Sequence, residues 1–267
     1  TASKVPAIVG ASPWDSPWSM WHRMSGDLAP EPDNAARLRG RLLEPAVLAW
    51  WAHQHPDAAP LTEQPWYPLG DWAGATPDAY CADDGHGNAC LIEAKTAADP
   101  DLWGDEGTDE IPEPYLIQTQ WAMGCSGVDL TYMPVLTGRL ALREYVIRYD
   151  AELFAWLKAE AKAFHESLAH HSPPALDDPL APLATLRRTH PDTDPDATVT
   201  LDPAEADELV AAKRAAADAD ARWRLAQSVV LNRMGAARYA EASGRRVARR
   251  QPTSRGGIAL HVLKETA

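Results

Sequence analysis

GATPDAYCADDGHGNACLIEAKT, residues 74–96, decides how this chain is read. Two short apolar runs flank ADDGHGN (82–88), a stretch dense in turn formers, which predicts strands joined as a hairpin whose second strand is Ala89–Lys95. Side chains on a strand alternate between faces, so Glu93 and Lys95 project to one side while Ala94 points to the other. Asp78 precedes Glu93 by fourteen intervening residues, at the end of the neighbouring strand. The two acids can therefore converge on one hard cation such as Mg²⁺, with the Ala94 carbonyl as a third oxygen ligand. Lys95 beside that cation can orient a water or draw its proton toward hydroxide, the chemistry of attack on a phosphodiester. A single D…ExK spacing also recurs by chance, and strands carry Glu and Lys as ordinary cross-strand partners.

Upstream, AARLRGRLLEPAVLAWWAHQH (35–55) places Leu38, Leu42, Val47 and Trp51 at helical spacing, an amphipathic helix interrupted or bent near Pro45. It carries Glu44, able to cover the site. Downstream, Pro112–Met123 reads as a helix with proline early, where it is tolerated. Its YLIQTQW segment sets Tyr115 and Gln118 on nearly one face, although spacing alone reads Gln118 and Gln120 as solvated. Two strand-like runs, VDLTYMPVL and LALREYVIRYD, surround the turn TGR, and a helix follows over about Ala151–Ala169. The Pro/Asp-rich stretch 172–202 marks a boundary too long for an ordinary loop. After it, Asp202-Pro203 starts a helix running to roughly Ala242, and SGRRVARR with GGIALHVLK suggests a small β-hairpin. The expected fold is α/β, a central mixed sheet flanked by helices, with residues 1–171 as the main domain, 172–202 as linker and 203–267 as a helical and basic β-hairpin extension.

The 267 residues can bury a sizeable core, and no apolar run approaches the length of a membrane span. With no charged-then-apolar leader, a soluble cytoplasmic protein is expected. Because the chain starts at Thr1 rather than Met, a short N-terminal piece is expected to precede it. Three cysteines without CxxC spacing argue against a disulfide framework or a zinc ribbon and read as buried thiols. The net charge of −13 is unevenly spread: residues 1–176 hold 11 Lys+Arg and 25 Asp+Glu (−14), 177–220 hold 4 and 11 (−7), and 221–267 hold 10 and 2 (+8). An acidic body suits divalent cations, and the basic C-terminus reads either as a solvated face or as a source of affinity for polyanions. Trp14, Trp18 and Trp21 could stack on bases, but their spacing favours a helix packed on the core. The pairs His53/His55 and His170/His171 lack acid or Cys partners at usable spacing and read as surface residues. There is no GxSxG elbow and no phosphate-loop glycine pattern.

Taken in order, TASKVPAIVGASPWDSPWSMWHRMSG, RGRLLEPAV, GATPDAY, LIEAKT and PYLIQTQWAM resemble the motifs of the YqaJ-like viral recombinase family, which belongs to the PD-(D/E)xK nucleases and includes phage lambda exonuclease. The resemblance covers residues 1 to about 170. It implies a restriction-endonuclease-like core in which Glu44, Asp78, Glu93, Lys95 and Gln118 are catalytic. Asp78, Glu93, the Ala94 carbonyl and Glu44 would hold Mg²⁺, with Mn²⁺ as substitute. Ser3 and Thr76, with Gln118 and Tyr115, fall where a 5′ phosphate is held, and the arginine of that pocket would lie upstream of Thr1. The activity implied is 5′→3′ digestion of linear double-stranded DNA in the cytoplasm of a bacterium or phage-infected host, leaving 3′ single strands for a single-strand annealing protein. A homo-oligomer, a trimer, is implied as well. Two rivals are a structure-specific endonuclease of the same superfamily, which would cut circles, and a non-catalytic DNA-end-binding module.

Overall fold

Residues 130–137, LTYMPVLT, are apolar almost throughout, and all but Leu136 are buried. That pattern belongs to a strand covered on both faces. In the computed structural model, which describes residues 1–28, 33–176, 194–252 and 258–263, they form the middle of a mixed sheet. The chain divides into two units, Thr1–Thr193 and Asp194–Ala267. The first contains helices α1 (Val5–Ile8), α2 (Pro17–Met24) and α3 (Ala35–Gln54), then strands β1 (Thr62–Glu63), β2 (Tyr67–Leu69), β3 (Ala73–Ala75), β4 (Ala79–Cys81), β5 (Cys90–Ile92) and β6 (Lys95–Ala97). Helix α4 (Glu113–Ser126), β7 (Leu130–Thr137), β8 (Leu142–Arg148) and α5 (Ala151–Ala169) complete it. The second unit contains α6 (Pro203–Met234), β9 (Tyr239–Ala242), β10 (Arg245–Pro252) and β11 (Ile258–Val262).

β4 pairs antiparallel with β5, while β5 and β6 both run parallel to β7. The register is unchanged across the gap between them, Ile92 facing Tyr132 before it and Lys95 facing Val135 after it. β5 and β6 are therefore one strand opened at Glu93–Ala94, and the sheet reads β1, β4, β5/β6, β7, β8, with β8 antiparallel to β7. Pro134 accounts for the opening. The Glu93 N–H still reaches the Tyr132 carbonyl at 3.0 Å, but the next bond of a parallel ladder needs an N–H from residue 134, and proline has none.

Alternation along the strands builds two cores. Leu91, Met133, Val135 and Ile147 pack with Ile117 and Trp121 of α4 and Phe154 and Leu157 of α5. On the other face, Ile92, Leu130 and Tyr132 pack with Leu48 and Trp51 of α3. Trp51 and Trp121 are essentially fully buried, and a ring so placed contributes about 3–5 kcal/mol relative to alanine. The helices α4 and α5 approach closely at Gly124, where an added Cβ would lie 2.2 Å from the Phe154 ring.

The hairpin loop is fixed by its acids. Asp83 Oδ1 accepts from the N–H groups of Gly85 and Gly87. Asp84 accepts from the His86 and Asn88 N–H groups and from the Tyr132 hydroxyl at 3.0 Å. Burial alone would push the Asp84 carboxyl up, but these donors more than offset it and hold it down at about 2.

Two expectations are corrected. The helix α3 is not interrupted at Pro45, and Leu38 (46% exposed) and Leu42 (69%) stand in solvent while Val47 and Trp51 are buried. At about 100° per residue, the five-residue step from Leu42 to Val47 turns the chain by roughly 140°, so the two pairs lie on opposite faces. The last helix ends at Met234 rather than near Ala242; Gly235, at φ +51°, leaves the helical region, and residues 239–242 become β9. β10 and β11 pair antiparallel as expected of SGRRVARR and GGIALHVLK, and β9 adds a third strand on the other edge of β10, in the order β11, β10, β9. The start of α6 is as expected, with Asp202 accepting from the Ala204 N–H at 2.8 Å and Glu205 taking the Asp202 N–H at 3.1 Å. Among the described residues, no helix is long and apolar enough to cross a membrane.

Candidate active site

Opening the strand at Glu93–Ala94 releases backbone groups where β4 begins. The Ala94 N–H is taken by Asp78 Oδ2 at 2.8 Å, which ties the acid before β4 to the gap. Among the described residues, the Ala94 carbonyl takes no ladder bond. Glu93 is buried, at 4% exposure, and its Oε1 accepts from Lys95 Nζ at 2.6 Å and from Gln118 Nε2. Both donors fall on one carboxylate oxygen, leaving Oε2 clear of them. Tyr115, one helical turn before Gln118 on α4, sets its ring 5.4 Å from Lys95 Nζ.

The charges are strongly coupled. Burial first, then the charges of Glu93 and Glu44, raise the Asp78 carboxyl far above the usual range, to about 8, against the opposing influence of Lys95 and the Ala94 N–H. Burial alone would lower the Lys95 ammonium, but Glu93 and Asp78 more than offset it and raise it. Lys95 is thus an ammonium, a donor and counter-charge rather than a base. A carboxyl raised by burial and by the charges of two neighbouring acids, beside a carbonyl that takes no ladder bond among the described residues, is an oxygen donor set that a dication would stabilise.

Asp78, Ala94 and Lys95 line a cleft of about 1150 Å³ together with Glu44, Ser3 and Tyr115. The structure thus links Gln118, Glu93, Lys95 and Tyr115 by direct contacts, ties Asp78 to them through the Ala94 N–H, and places Glu44 in the same cleft as Asp78 and Lys95 with its Oε1 taking Gln64 Nε2 at 3.4 Å. Among the described residues, no three His, Cys, Asp or Glu side chains are gathered closely enough to hold a metal ion by themselves, so any such site needs the Ala94 carbonyl or water. Thr76 is exposed at the end of β3 and is not part of the cleft wall where Ser3 lies.

The reading of Gln118 and Gln120 as solvated is overturned. Gln118 is spent on Glu93, and Gln120, 2% exposed, donates to the Arg148 carbonyl at 2.7 Å and accepts from the Asp150 N–H at 2.8 Å. His55, read as a surface residue, is half-buried and bonded to Glu144 at 2.8 Å. Sequence reasoning also missed Arg37, Arg39 and Arg41, which line the cleft from the exposed half of α3. Their spacing in RLRGR was the available signal. Arg41 is paired with Asp33. In the second unit, Arg238, Arg249 and Arg250 surround a cavity of about 490 Å³ on the small sheet. All three cysteines are free thiols, with Cys81 and Cys90 buried.

A curated relative, the uncharacterized protein YqaJ of Bacillus subtilis (strain 168), is 26% identical over 209 residues, which are 74% of this chain and 62% of that protein. The chain therefore spans under two thirds of that relative's length. Among solved structures, the alkaline exonuclease LHK-Exo from Laribacter hongkongensis is 22% identical, with 64% of this chain and 87% of that one covered and a TM-score of 0.49. A phage-related exonuclease from Haemophilus somnus 129PT is 15% identical, with coverages of 64% and 94% and a TM-score of 0.48. The family model described as the YqaJ-like viral recombinase domain matches residues 1–129, a stretch that includes Glu44, Asp78, Glu93, Lys95, Tyr115 and Gln118. Residues 1–129 of this chain are thus similar to the YqaJ-like viral recombinase domain.

Proposed function

We propose that this chain is a Mg²⁺-dependent DNA exonuclease that digests one strand of linear duplex DNA from the 5′ end and leaves a 3′ single strand for a single-strand annealing protein. The observation that carries the reading is the opened strand, where Asp78, Glu93 and Lys95 meet at a cleft. Asp78, Glu93 and the Ala94 carbonyl, with Glu44 from α3, would hold Mg²⁺ or Mn²⁺. Bound there, the ion would act as a Lewis acid on the phosphate and acidify the attacking water. Lys95 positions that water and offsets charge developing on the phosphate oxygens. Gln118 and Lys95 together fix the Glu93 carboxylate, while Tyr115 limits the movement of Lys95. Ser3 and Tyr115 on the cleft wall, with Gln118 and with Thr76 from outside that wall, are the proposed contacts of a 5′ phosphate. Residues 1–171 form the nuclease domain in this reading, 172–202 the linker and 203–267 the extension, in a homotrimer whose closed ring would keep the enzyme on its substrate.

Linear duplexes labelled at either 5′ or 3′ ends, compared with closed circles, test the activity. Release of label from 5′ ends with circles untouched is expected, and light scattering should return three times the chain mass. Cut circles would favour a structure-specific endonuclease instead, and intact linear DNA a non-catalytic end-binding module.

The arginine cavity of the second unit supports duplex affinity that an acidic first unit lacks. Replacing Arg238, Arg249 and Arg250 by Gln is expected to reduce the slope of log affinity against log salt by roughly 2 to 3, because each lost phosphate contact removes about 0.9. Anisotropy of a labelled duplex across a salt series measures it. An unchanged slope would make the basic run a solvated face.

A further inference from the structure

The cleft has two unlike linings, of which the proposed hydrolysis uses only Tyr115. Arg37, Arg39 and Arg41 supply one. The other is aromatic: Tyr115 stacks with Trp103, their centroids 5.4 Å apart at 25°, and Trp14 stands 6.1 Å beyond Tyr115. Trp14 differs from its neighbours in sequence. Trp18 (9% exposed) and Trp21 (4%) are core residues of α2, whereas Trp14 is 69% exposed. It precedes the helix, whose cap is Ser16, so the four-residue step to Trp18 is not a helical one and the indole is not drawn inward. An indole left in water on the wall of a cleft is an unusual use of so large an apolar ring.

We propose that Trp14 is a nucleobase-stacking platform for the strand being cut, with the sugar–phosphate backbone of that strand running along the α3 arginines. Two short steps, 5.4 Å from Lys95 to Tyr115 and 6.1 Å from Tyr115 to Trp14, set the ring a nucleotide or so from the reacting phosphate. A base can lie on an indole only when unstacked from its own duplex, so the ligand class is an unpaired DNA strand and the duplex end opens before it reaches the acids. Aromatic faces beside a cationic track are the combination that binds single strands without reading sequence. The proposal rests on the nuclease reading for the identity of the strand, and stacking requires no turnover.

The test uses the full chain in Ca²⁺, with fluorescein-labelled single-stranded DNA carrying one abasic site moved through successive positions. In the wild type, one position should cost at least about fivefold in affinity when its base is missing, the lower end of what base–aromatic stacking contributes. Trp14→Ala should bind normal DNA more weakly by the same factor and should show no penalty at that position. Trp14→Phe, which keeps a ring, should retain the penalty and most of the affinity. The proposal is overturned if Trp14→Ala binds normal DNA as tightly as the wild type, or if the abasic penalty persists in it undiminished. Because binding is read without hydrolysis, failure of stacking and failure of nuclease activity are separate results.

Discussion

Lys95→Ala and Glu93→Gln should each reduce turnover on linear duplex DNA by about 10³-fold or more, with substrate affinity changing far less. In the proposed mechanism each removes a group that acts on charge developing in the transition state, where single preorganised contacts contribute factors of about 10² to 10⁴. Glu93→Gln keeps the shape of the carboxylate and leaves Lys95 a carbonyl oxygen to bond, so it separates charge from packing. Truncating Glu93 to Ala would instead strand the Lys95 ammonium and the Gln118 amide, both of which now bond Glu93 Oε1, and the cost of an unpaired charge would confuse the result. Lys95→Ala also removes the cation that opposes the rise of the Asp78 carboxyl, so it weakens the donor set as well as the water contact. Gln118→Ala, which only loosens the orientation of Glu93, is expected to cost about tenfold. Single-turnover rates with thermal melts on the same preparations make the measurement. A Lys95→Ala protein with wild-type turnover would put the chemistry elsewhere in the chain.

Much of this site was legible because its geometry follows from period two. Strand alternation puts Glu93 and Lys95 on one face whatever the rest of the chain does, and the loop ADDGHGN is a turn by composition. Period 3.6 was less forgiving: four apolar residues of α3 matched helical steps individually, and the one five-residue step divided them between a buried and an exposed face. That error hid the arginines, since a half-helix assumed to pack on the core was not expected to line a cleft. Proline in LTYMPVLT was visible throughout, yet its effect falls on a partner strand and needs the register with β5/β6 to be known. Trp14 shows the converse limit. Its spacing to Trp18 was helical in number, but Ser16 and Pro17 start the helix two residues too late for that spacing to have meaning. Gln118 and Gln120 were indistinguishable from solvated residues because their partners, Glu93 and the β8–α5 turn, are distant in sequence.

Removal of divalent cations should abolish hydrolysis and weaken DNA binding together, and restoring Ca²⁺ should recover binding without cleavage. Two features of the site dictate this coupling. Asp78 lines the cleft with Glu44, buried Glu93 acts on it from nearby, and burial first, then the charges of these two glutamates, lift Asp78; a phosphate brought to that wall meets the same negative field. A dication bound there would reverse its sign, so in the proposed mechanism the ion would serve attraction of the substrate before it serves chemistry. Ca²⁺ accepts carboxylate and carbonyl oxygens at longer distances and with looser geometry, which satisfies the acids, but it polarises water less than Mg²⁺ or Mn²⁺. The order expected for hydrolysis is therefore Mg²⁺ and Mn²⁺ active, with Ca²⁺ and chelator both inactive, while for binding all three ions exceed chelator. Parallel rate and anisotropy measurements on one labelled duplex separate the two orders. Hydrolysis that persists in excess chelator would remove the metal from the mechanism, and binding indifferent to every ion would mean that the arginines of α3 or of the second unit, rather than the acids at the opened strand, control access of DNA to the cleft.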